Sequence, residues 1–276
     1  MSAFLDETGT LITVDHSNPL PVALVAGFTS LNDGELKTAS YANPLPVTVV
    51  TTNYTEEELP DADSVAVGTE IFNTTYQVKM RSNGTSWEWL GIGKSTWANK
   101  PATAPLGQVI CITDIGEDGS LWRGNGTKWN RLHAISLYRT TTEVYLTGTT
   151  TETTLATVTI PAGVMGPNGR LVLHFIWSFN NSAGAKTLRV KLDNQNCSSI
   201  VQTTTAYCST MLTVQNINSE SLQKTPSGLS AGVGASSGVI NTTTVNTAVN
   251  AYLTFTGQLA SGTDNISLVA LYVEVV

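Results

Sequence analysis

The sequence predicts an all-β protein with an extended N-terminal arm, two small tryptophan-containing β-hairpin modules and a C-terminal, jelly-roll-like β-sandwich. Three observations predict this architecture. Threonine, a β-branched residue that favours strands, accounts for 42 of the 276 residues. Two motifs each occur twice, and the C-terminal half consists of short apolar stretches separated by turn residues. Apart from these three observations, the chain is poor in charge: charged residues make up only 13% of it, about half of the usual share.

Composition and charge exclude several classes of protein. The net charge is −7 and the isoelectric point is close to 4.9, whereas nucleic-acid-binding proteins need a basic surface. No apolar run approaches the roughly 18 residues that a membrane-spanning helix requires. The start of the chain lacks the basic and apolar regions of a secretory signal. We therefore expect no nucleic-acid partner, no membrane partner and no signal peptide.

Residues 1–55 are predicted to form an extended arm that anchors the protein. The motif Asn18-Pro19-Leu20-Pro21-Val22 returns further along the chain as Asn43-Pro44-Leu45-Pro46-Val47. Because proline lacks an N–H donor and holds φ near about −65°, neither copy can form a central strand. Extended apolar segments of this kind usually lie along the surface of a partner or add to a sheet edge. A flexible proline-containing leader is the alternative.

Residues 56–137 are predicted to form a neck of two repeated β modules. The segment from Arg81 to Leu90, RSNGTSWEWL, matches the segment from Arg123 to Leu132, RGNGTKWNRL. An Asn-Gly pair flanked by alternating apolar residues indicates a β-hairpin with a type I′ turn, in which both central residues have positive φ. Each module is therefore predicted to contain two strands, an Asn-Gly turn and a third strand.

Four tryptophans of the modules are predicted to occupy matching strand positions and to pack the neck: Trp87, Trp89, Trp122 and Trp129. A unit of three short strands is only marginally stable alone. The two modules should therefore pack on each other, on the C-terminal domain or across a subunit interface. A sugar-stacking platform is the alternative function of these aromatic rings.

Residues 138–276 are predicted to form the β-sandwich, with about eight short strands and no helical periodicity. The strongest predicted strand, Arg170–Phe179, carries Leu171, Leu173, Phe175 and Trp177 on one face. Its other face is also largely apolar, with Val172, Ile176 and Phe179. Such a strand is typical of the middle of a sandwich or of a subunit interface.

The sequence contains no recognisable catalytic constellation, and we expect a protein that is not an enzyme and holds no metal or cofactor. The three histidines have no metal-ligand spacing, and His174 is expected to be a hydrogen-bonded core or interface residue. A pair of carboxylates brought together by the fold is the open alternative. The three cysteines are either separate buried thiols or include a Cys197–Cys208 disulfide.

Three stretches of the chain resemble parts of tailed-bacteriophage virion fibre proteins. The C-terminal β-sandwich of those fibres is similar to residues 155–171, LATVTIPAGVMGPNGRL, followed by residues 177–190, WSFNNSAGAKTLRV. A short β module of phage head and tail fibres is similar to residues 107–132. The doubled NPLPV arm is similar to segments at the start of phage virion surface proteins. Such modules are shared by head fibres, tail fibres and decoration proteins.

The resemblance implies a homotrimer on the virion surface that is made in the host cytoplasm and takes part in host attachment. The arm would bind structural proteins of the capsid, which we favour slightly, or of the tail. A host-receptor function of a tail fibre protein, with surface glycans as ligands, is the alternative. Its candidate ligand loops are residues 180–185, 193–199 and 224–237, and its candidate ligand residues are Asn180, Asn181, Asp193, Asn194 and Asn196.

Overall fold

The computed structural model describes residues 52–226 and 239–276 in full, together with the backbone of two strands near the N-terminus. All regular secondary structure in these residues is β-strand, which confirms the predicted all-β class. Met1–Val50 forms a separate unit. Its described part is an antiparallel hairpin of β1 (Ser2–Leu5) and β2 (Leu11–Val14). The rest of the chain, Thr51–Val276, forms one compact unit.

The first module is a four-stranded sheet in which the strands follow their order in the chain. The first two strands are parallel, and the others are antiparallel. Its strands are β3 (Thr52–Tyr54), β4 (Glu70–Asn73), β5 (Val78–Ser82) and β6 (Trp87–Trp89). The parallel strand β3 was not predicted, and it lies within the residues assigned to the arm.

The second module repeats this topology strand for strand. Its strands are β7 (Ile92–Ser95), β8 (Val109–Ile112), β9 (Ser120–Gly124) and β10 (Trp129–Arg131). Hydrogen bonds are repeated as well: Gly68 N donates to Ser82 O at 2.8 Å, and Gly107 N donates to Gly124 O at 2.9 Å. The sequence repeat is therefore a structural duplication, and each copy contains one strand more than was predicted.

The Asn-Gly hairpins form, but the predicted type I′ turn is wrong. Gly84 and Gly126 have φ of +92° and +95°, whereas neither Asn83 nor Asn125 has a positive φ. Each loop instead has four residues. The Oδ1 atom of each asparagine accepts the backbone N–H of the residues two and three positions ahead, at 2.8–3.0 Å. The side chain thus caps the turn in place of a left-handed backbone at asparagine.

Two sheets form the C-terminal domain. The strands of the larger sheet are β11 (Ile135–Thr140), β12 (Val144–Thr147), β14 (Arg170–Phe179), β17 (Tyr207–Asn216), β18 (Gln223–Pro226), β19 (Ile240–Thr243) and β21 (Asn265–Val275). The strands of the smaller sheet are β13 (Thr153–Ile160), β15 (Lys186–Leu192), β16 (Gln195–Gln202) and β20 (Ala251–Leu259). The first strand of the larger sheet begins at Ile135, three residues before the predicted start of the sandwich.

The strand order is that of a jelly roll. The larger sheet runs β11-β21-β14-β17-β18-β19, with β12 also paired to β21, and the smaller sheet runs β13-β20-β15-β16. We count β11 and β12 as one strand and the β18–β19 pair as an addition. Consecutive strands then exchange between the two sheets, except for the β15–β16 hairpin within the smaller sheet, as in a double Greek key. The last strand, β21, thus lies inside the larger sheet, between β11 and β14.

The core lies between the two sheets and depends on the inner face of β14. Leu171, Leu173, Phe175, Trp177 and Phe179 are all buried. The ring of Phe175 meets Phe255 of the opposite sheet edge-to-face, with ring centroids 5.8 Å apart. Phe179 therefore belongs to the inner face, contrary to the prediction.

Candidate functional site

The ten residues predicted to anchor the protein, at 18–22 and 43–47, lie outside the described residues. The third candidate ligand loop also lies largely outside them, at residues 227–237. The other predicted site residues, which are the four neck tryptophans and the residues of two loops of the sandwich, lie within the described part of the chain.

One pair of neck tryptophans occupies equivalent positions in the two modules. Trp87 Nε1 donates to Pro60 O at 2.8 Å, and Trp129 Nε1 donates to Pro101 O at 2.9 Å. Trp129 is only 9% exposed, whereas Trp87 is half-buried. Both indoles hold the connection between the first two strands of their sheet against the sheet, so their ring N–H groups have a structural partner in each copy.

The other two predicted tryptophans do not match each other. The strand register pairs Met80 with Trp89 in the first module and Trp122 with Arg131 in the second. Trp89 therefore corresponds to Arg131, and Trp122 corresponds to Met80. Trp89 joins the modules, because its ring centroid lies 5.6 Å from that of Tyr76 and 6.4 Å from that of Trp129.

Trp97, which was not predicted as a site residue, joins the second module to the sandwich. Its Nε1 donates to Ala162 O at 2.7 Å, and its ring centroid lies 4.6 Å from that of Trp122. In the sequence, Trp97 lies outside the matching segments 81–90 and 123–132. This position is the one feature of the sequence that sets Trp97 apart from the four predicted tryptophans. Hydrophobic packing thus continues from the first module through the second to the sandwich.

The first predicted ligand loop follows β14 and is bonded to the loop before β21. Asn180 N and Asn265 N each donate to the side-chain oxygen of the other residue, at 2.9 and 2.8 Å. Asn180 Nδ2 also donates to Asp264 Oδ1 at 2.9 Å. The side-chain amide of Asn180 therefore forms its hydrogen bonds with Asp264 and Asn265 of the same chain. Asn181 is exposed.

A buried lysine fixes the rest of this loop. Lys186 is fully buried, and its Nζ lies 2.8–3.3 Å from four oxygens, namely the carbonyls of Ser182, Gly184 and Thr203 and the Ser182 hydroxyl. The Ser182 hydroxyl in turn donates to Asp264 Oδ1 at 2.5 Å. The lysine thus closes the loop on itself and connects it to a carboxylate of the next loop.

Asp264 completes this cluster. The hydrogen bonds from Ser182 and Asn180 hold the pKa of its carboxyl below the usual value, and the charge of Lys186 acts in the same direction against the effect of burial. A Cβ at Gly184 would lie 2.0 Å from Asp264 Oδ2, so a larger residue there would displace the carboxylate. We call the hydrogen-bonded cluster of Asn180, Ser182, Lys186 and Asp264 the clasp. It is a structural connection between two loops rather than an open ligand site.

The second predicted ligand loop is a tight turn between β15 and β16. Asp193 and Asn194 have φ of +42° and +66°, as the two-residue type I′ turn requires. Asp193 Oδ1 accepts the N–H of Tyr252 at 2.7 Å, and Asp193 N donates to Tyr252 O at 2.9 Å. Asp193 therefore ties the turn to β20. Asn194 and Asn196 are exposed, and their contact with a ligand stays a prediction.

All three cysteines are free thiols, so the alternative with a Cys197–Cys208 disulfide does not hold. Cys197 is buried, and burial raises the pKa of its thiol to about 11. Cys111 and Cys208 are half-buried. A buried thiol with a raised pKa is a poor nucleophile, so Cys197 is a packing residue.

The outer face of the larger sheet carries several exposed apolar side chains. Ile176, Tyr207, Met211 and Tyr145 are 39%, 70%, 58% and 57% exposed. Their strand partners place them on one face of the sheet, opposite to the core. We call these four residues the exposed sheet face. It borders a shallow depression of about 630 Å³ that is lined by His174 among others.

His174 lies on this outer side and not in the core. Its ring centroid is 6.3 Å from that of Tyr272 on the neighbouring strand. Of the two predicted environments for His174, the core is therefore wrong, and an interface is compatible with its exposure in the single chain.

Neither a cluster of metal ligands nor a membrane helix is found in residues 52–226 and 239–276. There, no three His, Cys, Asp or Glu side chains come together as metal ligands. No helix in the same ranges has the length and apolar character needed to cross a bilayer. No protein-family model matches the chain, and no curated protein matches it in sequence.

Proposed function

We propose that the protein is a non-enzymatic surface spike of a phage virion that assembles as a homotrimer through the exposed sheet face. Its N-terminal arm would attach it to the capsid or the tail. The likeness of residues 107–132 and 155–190 to phage fibre modules supports the assignment to virions. The same likeness suggests three copies.

The observation that carries the proposal is the exposed sheet face. In a single chain, large apolar side chains at Ile176, Met211 and Tyr207 contact water on the outer side of a seven-stranded sheet. A group of large exposed apolar side chains on one sheet face, interspersed here with small polar residues such as Ser209, is typical of an interaction site. A second copy is the partner that every copy has available, and burial of large apolar faces is typical of permanent oligomers.

The continuous packing of the neck also suits a spike. Trp89 lies between the two modules, and Trp97 bonds the second module to the sandwich. A protein that projects a domain away from an attachment point needs such rigid connections between successive units. The two predicted ligand loops, in contrast, are largely bonded within the chain.

The mass of the full chain in solution tests the assembly. We expect three times the chain mass of 29.3 kDa by sedimentation equilibrium. The double variant Ile176→Glu, Met211→Glu should sediment as a single folded chain, because charges on the exposed sheet face oppose its burial. Tyr252→Glu is the matched control, since Tyr252 is 51% exposed on the smaller sheet. A monomeric parent protein, or equal dissociation by Tyr252→Glu, would contradict the proposal.

A further inference from the structure

A cleft between the second module and the sandwich is lined by basic side chains. Its volume is about 560 Å³, which is within the usual range for sites that bind small molecules. Trp97, Lys100, Lys128 and Arg131 line it on the module side, and residues 163–169 line it on the sandwich side. Since both walls belong to one chain, the cleft does not depend on the assembly proposed above.

The charge of this cleft is opposite to that of the protein. The chain has 21 acidic and 14 basic side chains, yet the side chains that line the cleft include three bases and no acid; Val276, whose main-chain carboxylate ends the sequence as given, also lines the cleft. Neither Lys100, Lys128 nor Arg131 forms an ion pair with any carboxylate in the described part of the chain. Three basic groups thus face one cavity that has no acidic side chain in its lining.

The two modules have also diverged in charge. The first module, residues 52–90, contains seven acids and two bases, whereas the second, residues 91–134, contains three acids and five bases. Arg131 occupies the position that Trp89 holds in the first module. At this position, one copy of the duplication therefore carries an aromatic packing residue, and the other carries a cation that lines a cleft.

Two of the basic groups are held in place by the protein. Arg131 Nη1 donates to Val164 O at 3.1 Å, which uses one of the five N–H donors of the guanidinium. Lys100 Nζ donates to Trp97 O at 3.1 Å and lies 3.9 Å from the centroid of the Trp97 ring. Burial lowers the pKa of both groups, against a smaller opposing effect of Asp114 on Lys100. Partly desolvated cations that form no ion pair are stabilised when an anion reaches them.

We propose that this cleft binds an oxyanion, the carboxylate or phosphate group of a small ligand, between Lys100 and Arg131. A guanidinium and an ammonium offer charge-assisted hydrogen bonds, and the guanidinium can bind both oxygens of one group. Aromatic stacking is not the basis of recognition. The ring of Trp97 already contacts Trp122 and Lys100, and Trp122 and Trp129 are nearly buried.

Three sugars that differ in one group test the proposal on the full chain. Galacturonate carries a carboxylate and galactose 6-phosphate carries a phosphate, whereas galactose has a neutral hydroxymethyl group. Isothermal titration should show that at least one of the two anions binds about tenfold or more tightly than galactose. Its affinity should decrease as salt increases. The tighter anion identifies the group that the cleft prefers.

Substitutions locate the binding. Lys100→Gln and Arg131→Gln should each weaken the preferred anion about tenfold. The Arg123→Gln variant is the matched control, because Arg123 is an exposed residue of the same module outside the cleft. If Arg131→Gln fails to fold, Lys100→Gln alone decides the result. Equal binding of the three sugars, or an equal loss in Arg123→Gln, would overturn the proposal.

Discussion

Replacement of Lys186 by methionine is expected to reduce the free energy of unfolding by about 3–5 kcal/mol. Methionine keeps most of the volume of the side chain but removes an ammonium that is fully buried. The carbonyls of Gly184 and Thr203 would lose their charged donor. Asp264 would lose the positive charge nearby that now favours its ionised form. Equilibrium denaturation in urea, followed by circular dichroism, measures the difference.

Lys94→Met is the control for this experiment. Lys94 is an exposed lysine of β7 whose side chain forms no ion pair within the described ranges, and its replacement should change stability by less than about 0.5 kcal/mol. A loss for Lys186→Met no larger than that for Lys94→Met would show that the clasp does not hold the loop. The first predicted ligand loop would then again be a candidate for a mobile binding segment.

Replacement of Trp129 by alanine is expected to reduce stability by about 3–5 kcal/mol. Trp129 is 9% exposed, contacts Trp89 of the first module and donates its ring N–H to Pro101 O. The variant therefore loses apolar burial, a hydrogen bond and the aromatic contact between the modules. Urea unfolding followed by far-UV circular dichroism is the appropriate measurement, because the substitution itself changes the tryptophan fluorescence.

The duplication supplies the control for Trp129. Trp87 is the equivalent residue, with the same hydrogen bond to a proline carbonyl, but it is half-buried and is not paired with Trp89 through ring contact. Trp87→Ala should therefore cause a clearly smaller loss than Trp129→Ala, since less apolar area becomes exposed. Equal losses for the two variants would mean that the contact between the modules contributes nothing to stability.

Strong local patterns predicted much of the fold. The apolar residues of Arg170–Phe179 predicted β14 with both ends correct. The two NGT segments predicted the hairpins of both modules. The same three residues form the same hydrogen bonds in each loop, so both segments give a turn. Strands β3 and β7 were missed since each is very short and pairs in parallel with a strand that lies well beyond the next turn. Local pattern carries no information about such a partner.

The candidate sites were harder to predict than the fold, for a physical reason. Asn180 and Asp193 have the residue types of ligand loops, yet the same polar groups also satisfy neighbours within the chain. Lys100 and Arg131 of the second module line one cleft together with Val164 of the sandwich. Only the packing of the second module on the sandwich creates this cleft. Sequence shows which groups are available, but the contacts decide which of them remain open to a partner.

We propose above that the protein is displayed on a virion, and residues 1–50 are the part that would attach it there. Thr51–Val276 forms a compact unit with its own core, so a chain that lacks Met1–Val50 should still fold and assemble. The decisive measurement is the amount of protein in purified particles, made with either the full chain or the shortened chain. We predict that the full chain is present in the particles and that the shortened chain, expressed at the same level, is absent from them. Equal incorporation of the two chains, or absence of the full chain from particles, would contradict the account.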